Sequence, residues 1–179
     1  GKMTVAVGAF AALSYGSLQF EERMAAANTM AQKGQVEFTA LTGDIRNMSE
    51  EISVARDMLA DGLYATISAG VPENNWIQFL NDSAKAAKGG QAELGTVIDA
   101  TATIIKNYGE EWDAAGKIQD KFQRAVKLGQ IPSLEALAGA LPSVAVLASQ
   151  LKISQDELIA TFATGAGPMG SVAEVSTQA

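Results

Sequence analysis

Apolar positions recur every three or four residues along most of the chain, and each run closes on a turn signal, so the pattern predicts a succession of helices. Met3 to about Lys33 reads as the first. Val5, Ala9, Ala12 and Gly16 hold one face, Phe10, Leu13, Phe20 and Met24 lie near another, and Gly34 ends it as a C′ residue. Phe38, Leu41 and Ile45 predict a second helix over roughly Val36 to Met48, with Gly43 inside it. Ser49 and Ser53 are alternative N-caps for a third, reaching Ala69 with Val54, Met58, Leu63 or Tyr64, and Ile67 inward; Gly70-Val71-Pro72 stops it. Asn74 or Asn75 caps a fourth, which carries Trp76, Phe79, Leu80, Ala84 and Ala87 and ends at Gly89-Gly90.

The fifth, Ala92 to Tyr108, sets Leu94, Val97, Ile98, Ile104, Ile105 and Tyr108 close to one face and ends at Gly109. A sixth opens in Glu110-Glu111-Trp112-Asp113, where negative charge suits the positive end of the helix dipole. It buries Trp112, Ala115, Ile118, Phe122, Ala125 and Val126, and Leu128-Gly129 closes it. Gln130-Ile131-Pro132-Ser133 turns the chain and caps the seventh, Leu134 to Leu151. Pro142 inside it predicts a kink or break near Gly139-Ala140-Leu141, since an interior proline costs about 3 kcal/mol. Ser154 with Glu157 three residues on is a capping box for the eighth, Gln155 to about Thr164, with Leu158, Ile159 and Phe162 inward. Gly165-Ala166-Gly167-Pro168 reads as a loop, and Ser171 to Ala179 as the first turns of another helix.

The expected class is all-α: a compact array of about eight short helices joined by Gly, Pro and Ser turns, with a longer N-terminal helix. Residues 1–34 read as an Ala-rich helix continuing from a longer chain, and 35–179 as a core domain. No heptad pattern is followed over four repeats, and no fixed period marks a solenoid.

Composition narrows the chemistry. Hydrophobic residues make up 47% of the 179 positions but aromatics only 6%, so alanine and the aliphatics fill the core, which favours closely packed helices. There are 13 Lys and Arg against 20 Asp and Glu, a net charge of -7 with no basic run, which argues against specific nucleic acid binding. The absence of cysteine excludes disulfides and Cys-based zinc sites, and the absence of histidine removes the commonest general base and metal ligand. An N-terminal signal peptide fits poorly with Gly8, Ser14, Gly16 and the pair Glu21-Glu22. No uninterrupted apolar stretch reaches the roughly 20 residues that a membrane-spanning helix needs.

Glu110, Glu111 and Asp113 are the densest carboxylates, but glycoside chemistry needs two opposed across a cleft, and these read as dipole complement and solvated face. Glu50-Glu51 and Glu21-Glu22 read alike. Gly89-Gly90 lacks the Lys-Ser/Thr of a phosphate loop, Ser149 to Lys152 has SxxK spacing without its partner motifs, and Asn74-Asn75 with Asn81-Asp82 lack a calcium loop. No catalytic, cofactor-binding or metal residue is assigned, and no cofactor is expected. The first helix has three open readings: resting on its own domain, packing in a multi-chain bundle, or inserting into a membrane.

From Phe20 to Gln178 the chain resembles the core region of phage tail tape measure proteins. The likeness starts at FEERMAAANTMA and ALTGDIRNMS and sharpens at ADGLYATISAGVPENNWIQFLNDSAKAAKGG. VIDATATIIKNYG is similar to a family helix met here by Asp99, Thr103, Tyr108 and Gly109. KFQRAVKLGQIPSLEALAGALPSVAVLASQLKISQDELIATFATGAG resembles a turn and short helix met by Val126, Gly129, Glu135 and Leu137, then a capped helix met by Ser154, Glu157 and Leu158. Lys152 stands where the family usually has Gly, so that turn is expected to be tighter or partly helical; Lys106 stands where Asn is common.

The resemblance implies a non-enzymatic structural virion component that sets tail length and supports tail tube assembly and genome delivery. The partners it implies are tail tube proteins, tail tip or baseplate proteins and tail assembly chaperones, with a homo-oligomer and host membrane contact after ejection. It implies residence in the virion tail lumen, and in the host cytoplasm during assembly. Gly129, Ser133, Ser154 and Glu157 are expected to be architectural. The alternatives are a membrane-active helical protein that inserts its first helix to aid DNA passage, and a carboxylate hydrolase.

Overall fold

The computed structural model of the chain describes the backbone of residues 3–129 and 131–169 and the side chains of 16–129 and 131–165. The described residues form eight α-helices and no strand: α1 (Met3–Ala31), α2 (Gln35–Ile52), α3 (Arg56–Ser68), α4 (Trp76–Gly90), α5 (Leu94–Tyr108), α6 (Ala115–Leu128), α7 (Leu134–Gln150) and α8 (Gln155–Met169). The array is all-α. Short 3₁₀ turns, Glu73–Asn75 and Trp112–Ala114, lead into α4 and α6.

α5 is the central post. Val97, Ile98, Ala100, Thr101, Ala102, Ile104 and Ile105 are all buried, so little of its circumference meets water. α7 lies along α5, α1 along α3, and α4 against both α3 and α6, while α8 rests on α6 and the end of α7. In α6, Ala115, Ile118, Phe122 and Ala125 turn inward while Lys117, Asp120 and Arg124 face solvent. Phe20, Met24 and Ala27 seat α1, whereas Leu18 is exposed and Gly16 has open space around it. Val5, Ala9, Phe10, Ala12 and Leu13 have side chains outside the described residues, as does Ser171 to Ala179 altogether.

Several boundaries differ from the sequence expectation, mostly because the actual stops are not glycines. α1 ends at Ala31 with Gln32 left-handed (φ 53°), and the Asn28 side chain bonds both the N–H and the carbonyl of Lys33 (2.9 and 3.2 Å). Gly34 is extended and starts α2, its N–H donating to the Glu37 carboxylate at 3.3 Å. α2 runs past Met48 because Met48 and Ile52 continue the buried face of Leu41 and Ile45. It stops at left-handed Ser53, and Ser49 donates its hydroxyl to the Val54 carbonyl at 2.7 Å, so neither serine caps α3.

The inward face of α3 is also rotated. Leu59, Ala60, Leu63 and Thr66 are buried while Met58 and Tyr64 are exposed. Gly62 sets that rotation: a Cβ there would stand 2.6 Å from the Leu94 side chain and 2.8 Å from that of Leu80. Neither Asn74 nor Asn75 caps α4 with its side chain, and the entry is held by Trp76 Nε1 donating to the Val71 carbonyl at 2.7 Å.

Gly89 and Gly90 belong to α4, which ends at left-handed Gln91. α7 is unbroken across Pro142, which deletes one rung of the ladder without ending the helix. α8 continues through Gly165–Pro168 to Met169. The expected caps at Ser133 and Ser154 are present: Ala136 N–H donates to Ser133 Oγ at 3.1 Å, and Glu157 N–H to Ser154 Oγ at 3.2 Å with the Glu157 carboxylate accepting the Ser154 N–H at 2.9 Å.

Candidate functional site

The structure scatters the chemically suggestive residues. Glu110, Glu111 and Asp113 are exposed around one turn, and Glu21, Glu22, Glu50 and Glu51 are exposed elsewhere. Ser149 donates its hydroxyl to the Val146 carbonyl of its own helix at 2.8 Å, and Lys152 sits exposed in the following turn. Asn74 and Asn75 lie in the turn before α4, and Asn81 and Asp82 inside it. Among the described residues no group of three or more Asp, Glu, His or Cys is arranged to hold a metal ion.

A groove of about 550 Å³ lies where α4, α6 and α7 meet, with Gly89, Gly90, Gln123, Lys127, Leu128 and Leu134 along it; it holds no acid–base pair. A smaller polar cleft of about 250 Å³ holds Asp82, Lys85, Gly116, Gln119, Asp120 and Gln123. Burial raises the Asp82 carboxyl above its ordinary range, with Lys85 opposing the shift and Asp120 adding to it. Burial likewise raises the Tyr108 phenol.

What the fold does bring together are groups that tie one helix to another. Gln119 of α6 is 2% exposed, and its amide donates to Ser83 Oγ of α4 (2.9 Å) and Thr101 Oγ1 of α5 (3.2 Å). Thr101 in turn donates to the Val97 carbonyl at 2.7 Å, so the buried chain of donors runs through three helices. Glu135, from the first turn of α7, accepts the Glu93 backbone N–H at 2.8 Å and the Thr96 hydroxyl at 2.9 Å. A carboxylate on α7 thereby caps the N-terminus of α5. Lys88 of α4 does the converse, donating to the Ile52 and Ser53 carbonyls at the end of α2 (2.7 and 3.3 Å).

Gly129 lies tight against backbone rather than a side chain. It is extended rather than left-handed (φ -86°, ψ 171°), so space rather than conformation demands glycine. A Cβ would lie 2.7 Å from both the Ala125 and Ala163 carbonyl oxygens and 2.8 Å from Ala163 Cα, pressing α6 into the backbone of α8. The quoted motif residues thus acquire structural duties. Glu135 caps in trans, Leu137 and Leu158 are buried, Gly109 is left-handed at φ 67°, and Asp99 is exposed. Lys152 also takes a left-handed φ of 60°, the conformation a glycine would hold without strain. Sequence reasoning missed Gln119 and Lys88, since neither lies in a motif and their partners are 18 to 36 residues away.

Such a molecule is an all-helical packing domain whose polar groups hold helices in place. The model of a family described as phage-related minor tail protein matches residues 42–179, and the chain belongs to that family. It is also similar, at 22% identity over 149 residues, to a probable tape measure protein of Clostridium phage phiCD119, the match covering 81% of this chain and 16% of that protein. The chain therefore spans less than a fifth of that relative's length. No solved structure matches. The likeness to tape measure proteins drawn from the order of the motifs stands.

Proposed function

We propose that this chain is the helical core segment of a phage tail tape measure protein, and that the whole protein sets tail length and supports tail tube assembly and genome delivery. The observation that carries this reading is the alignment along 149 residues with a probable tape measure protein. In this reading residues 35–179 are the core domain, and residues 1–34 a helix leading into it whose second half is seated on α3 through Phe20, Met24 and Ala27. Tail tube, tail tip or baseplate proteins and assembly chaperones are the partners, several copies act together, and the work is structural rather than enzymatic. The site of action is the tail lumen after synthesis in the host cytoplasm. A net charge of -7 suits a lumen through which DNA slides without sticking.

In-frame deletion of residues 35–169 from the phage gene tests the reading, with tail length measured by electron microscopy. Those roughly 135 residues would span about 200 Å as one extended helix at about 1.5 Å per residue. As a folded bead they would span about 40 Å. Shortening by either amount supports the reading and tells which form the segment takes in the tail. Infectious tails of unchanged length would sink it.

A further inference from the structure

Two helices of this chain carry opposite charge at one spacing. α6 holds four of the 13 Lys and Arg, Lys117, Lys121, Arg124 and Lys127, against a single acid, Asp120. α2 holds four acids, Glu37, Asp44, Glu50 and Glu51, against a single base, Arg46, whose guanidinium sits over the Phe20 ring at 5.4 Å. Lys117 and Arg124 are exposed and seven residues apart, and the exposed Glu37, Asp44 and Glu51 repeat at the same interval. Seven residues are nearly two helical turns, so each set lines one flank of its helix at intervals of about 10.5 Å. Lys121 is taken by Asp156, and Asp120 lies in the polar cleft with Asp82. Lys117, Arg124, Lys127, Glu37, Asp44 and Glu51 form no ion pair among the described residues.

The ends of the two rows match as well. Val36 and Leu128 are the most exposed large apolar side chains among the described residues, at 83% and 77%, and they adjoin Glu37 and Lys127. Leu128 borders the groove of about 550 Å³, along with Arg124, Lys127 and Leu134, and Gly89 adds no side chain to it. The middle of the outer α2 face is small: Ala40 is exposed, and a Cβ built at Gly43 meets nothing within 4 Å, so a second rod can lie close. α4 packs against both α2 and α6, which have no packed interface of their own, so the two rows need two copies to meet.

We propose that α2 of one copy lies antiparallel on α6 of another. That direction sets Glu37 against Arg124 and Asp44 against Lys117, with Val36 entering the groove between Arg124 and Leu128. The parallel direction would place Asp44 and Glu51 on the same two cations but leave Val36 and Leu128 at opposite ends. Charge decides the occupant: a groove rimmed by unpaired cations takes an acidic rod, and α2 brings acids at the matching interval with an apolar residue at the matching end. The contact deepens the multi-copy arrangement proposed above. The chain alone tests it, so its failure leaves the tail-length experiment to be judged separately.

Exposed ion pairs contribute little singly, so association is expected at a chain concentration on the order of 0.1–1 mM. Sedimentation equilibrium and light scattering in about 0.1 M salt, where the Debye length of about 10 Å screens the overall repulsion but not pairs in contact, measure it. Glu37→Lys/Asp44→Lys and Lys117→Glu/Arg124→Glu each set like charges against each other and should lower the association constant at least about tenfold. An equimolar mixture of these two variants restores opposite charges at the contact and should regain the association of the native chain. Glu21→Lys/Glu22→Lys makes the same change in net charge as the α2 variant, away from both rows, and should leave association in place. Far-UV circular dichroism checks that each variant keeps its helices. The proposal is overturned by a native chain that stays monomeric throughout, by association that survives either reversal, or by a mixture that stays monomeric.

Discussion

Replacing Gly129 by alanine adds one methyl group where the end of α6 meets the backbone of α8. The new Cβ meets backbone rather than a movable side chain, at 2.7 Å from two carbonyl oxygens and 2.8 Å from Ala163 Cα. Ordinary contact with Ala163 requires α8 to withdraw by roughly 0.6 Å, and a gap of that size forfeits a quarter to a half of the attraction at the contact. Leu158, Ile159 and Phe162 hold α8 down, each worth roughly 2 kcal/mol of burial. The expected cost is therefore about 1.5–3 kcal/mol, within the usual range for overpacking.

The same substitution should act oppositely at Gly43, in the middle of α2, where nothing lies within 4 Å of the added Cβ. There alanine relieves the conformational entropy of glycine and should stabilise by about 0.5–1 kcal/mol. Urea unfolding followed by tryptophan fluorescence and far-UV circular dichroism measures both. Gly129→Ala should also lower Tm by about 4–10 °C. If Gly129→Ala is neutral, or gains stability as Gly43→Ala does, the close approach of α6 and α8 is not what glycine serves there.

Other consequences can be checked on the same chain. Hydrogen bonds from the Ser154 hydroxyl and N–H hold the Glu157 carboxyl below the usual carboxylate range. A carboxyl with a depressed folded pKa contributes stability above its unfolded value, about 4.3, and loses it as pH falls through the folded one. The urea midpoints of the native chain and Glu157→Gln should thus differ at neutral pH and converge in acid; a gap unchanged in acid contradicts the assignment. Gln119→Met keeps the bulk but strips Ser83 and Thr101 of a donor, and should cost about 1–3 kcal/mol in chemical denaturation. Glu135→Leu should cost about 1–2 kcal/mol and speed hydrogen exchange at the Glu93 amide, with Glu135→Gln in between. Equal exchange rates in all three chains would show that the cap is not formed.

Much of this arrangement is legible from residues that act locally. Ser133 and the Ser154–Glu157 box announce helix starts because a cap needs only its own next three residues. The inward faces of α4 and α8 follow from periodicity because nearly all neighbouring positions, Ile77 apart, are polar or small and leave no rival face. In α3 Met58 and Tyr64 compete with Leu59 and Leu63, and the choice is made by Leu80 and Leu94 pressing on Gly62, which no local pattern reveals. Glycines at 34, 89, 90 and 165 invite helix stops, yet Gln32, Ser53, Gln91 and Lys152 adopt the left-handed turns. Tertiary packing outweighs intrinsic preference at those ends. The ties at the candidate site were hidden for a related reason: Glu93 and Glu135 are 42 residues apart.

The first turn of α5 is plugged by Glu135 of α7, while the Glu93 side chain at its own N-cap makes no cap bond. Undocking α7 strips apolar cover from the central post and, in the same movement, uncorks its first turn. Lys88 links the fate of α2 to α4 in the same way. A pull applied to one rod is therefore felt at the end of another. The array is set to give way in a few large steps rather than to fray helix by helix.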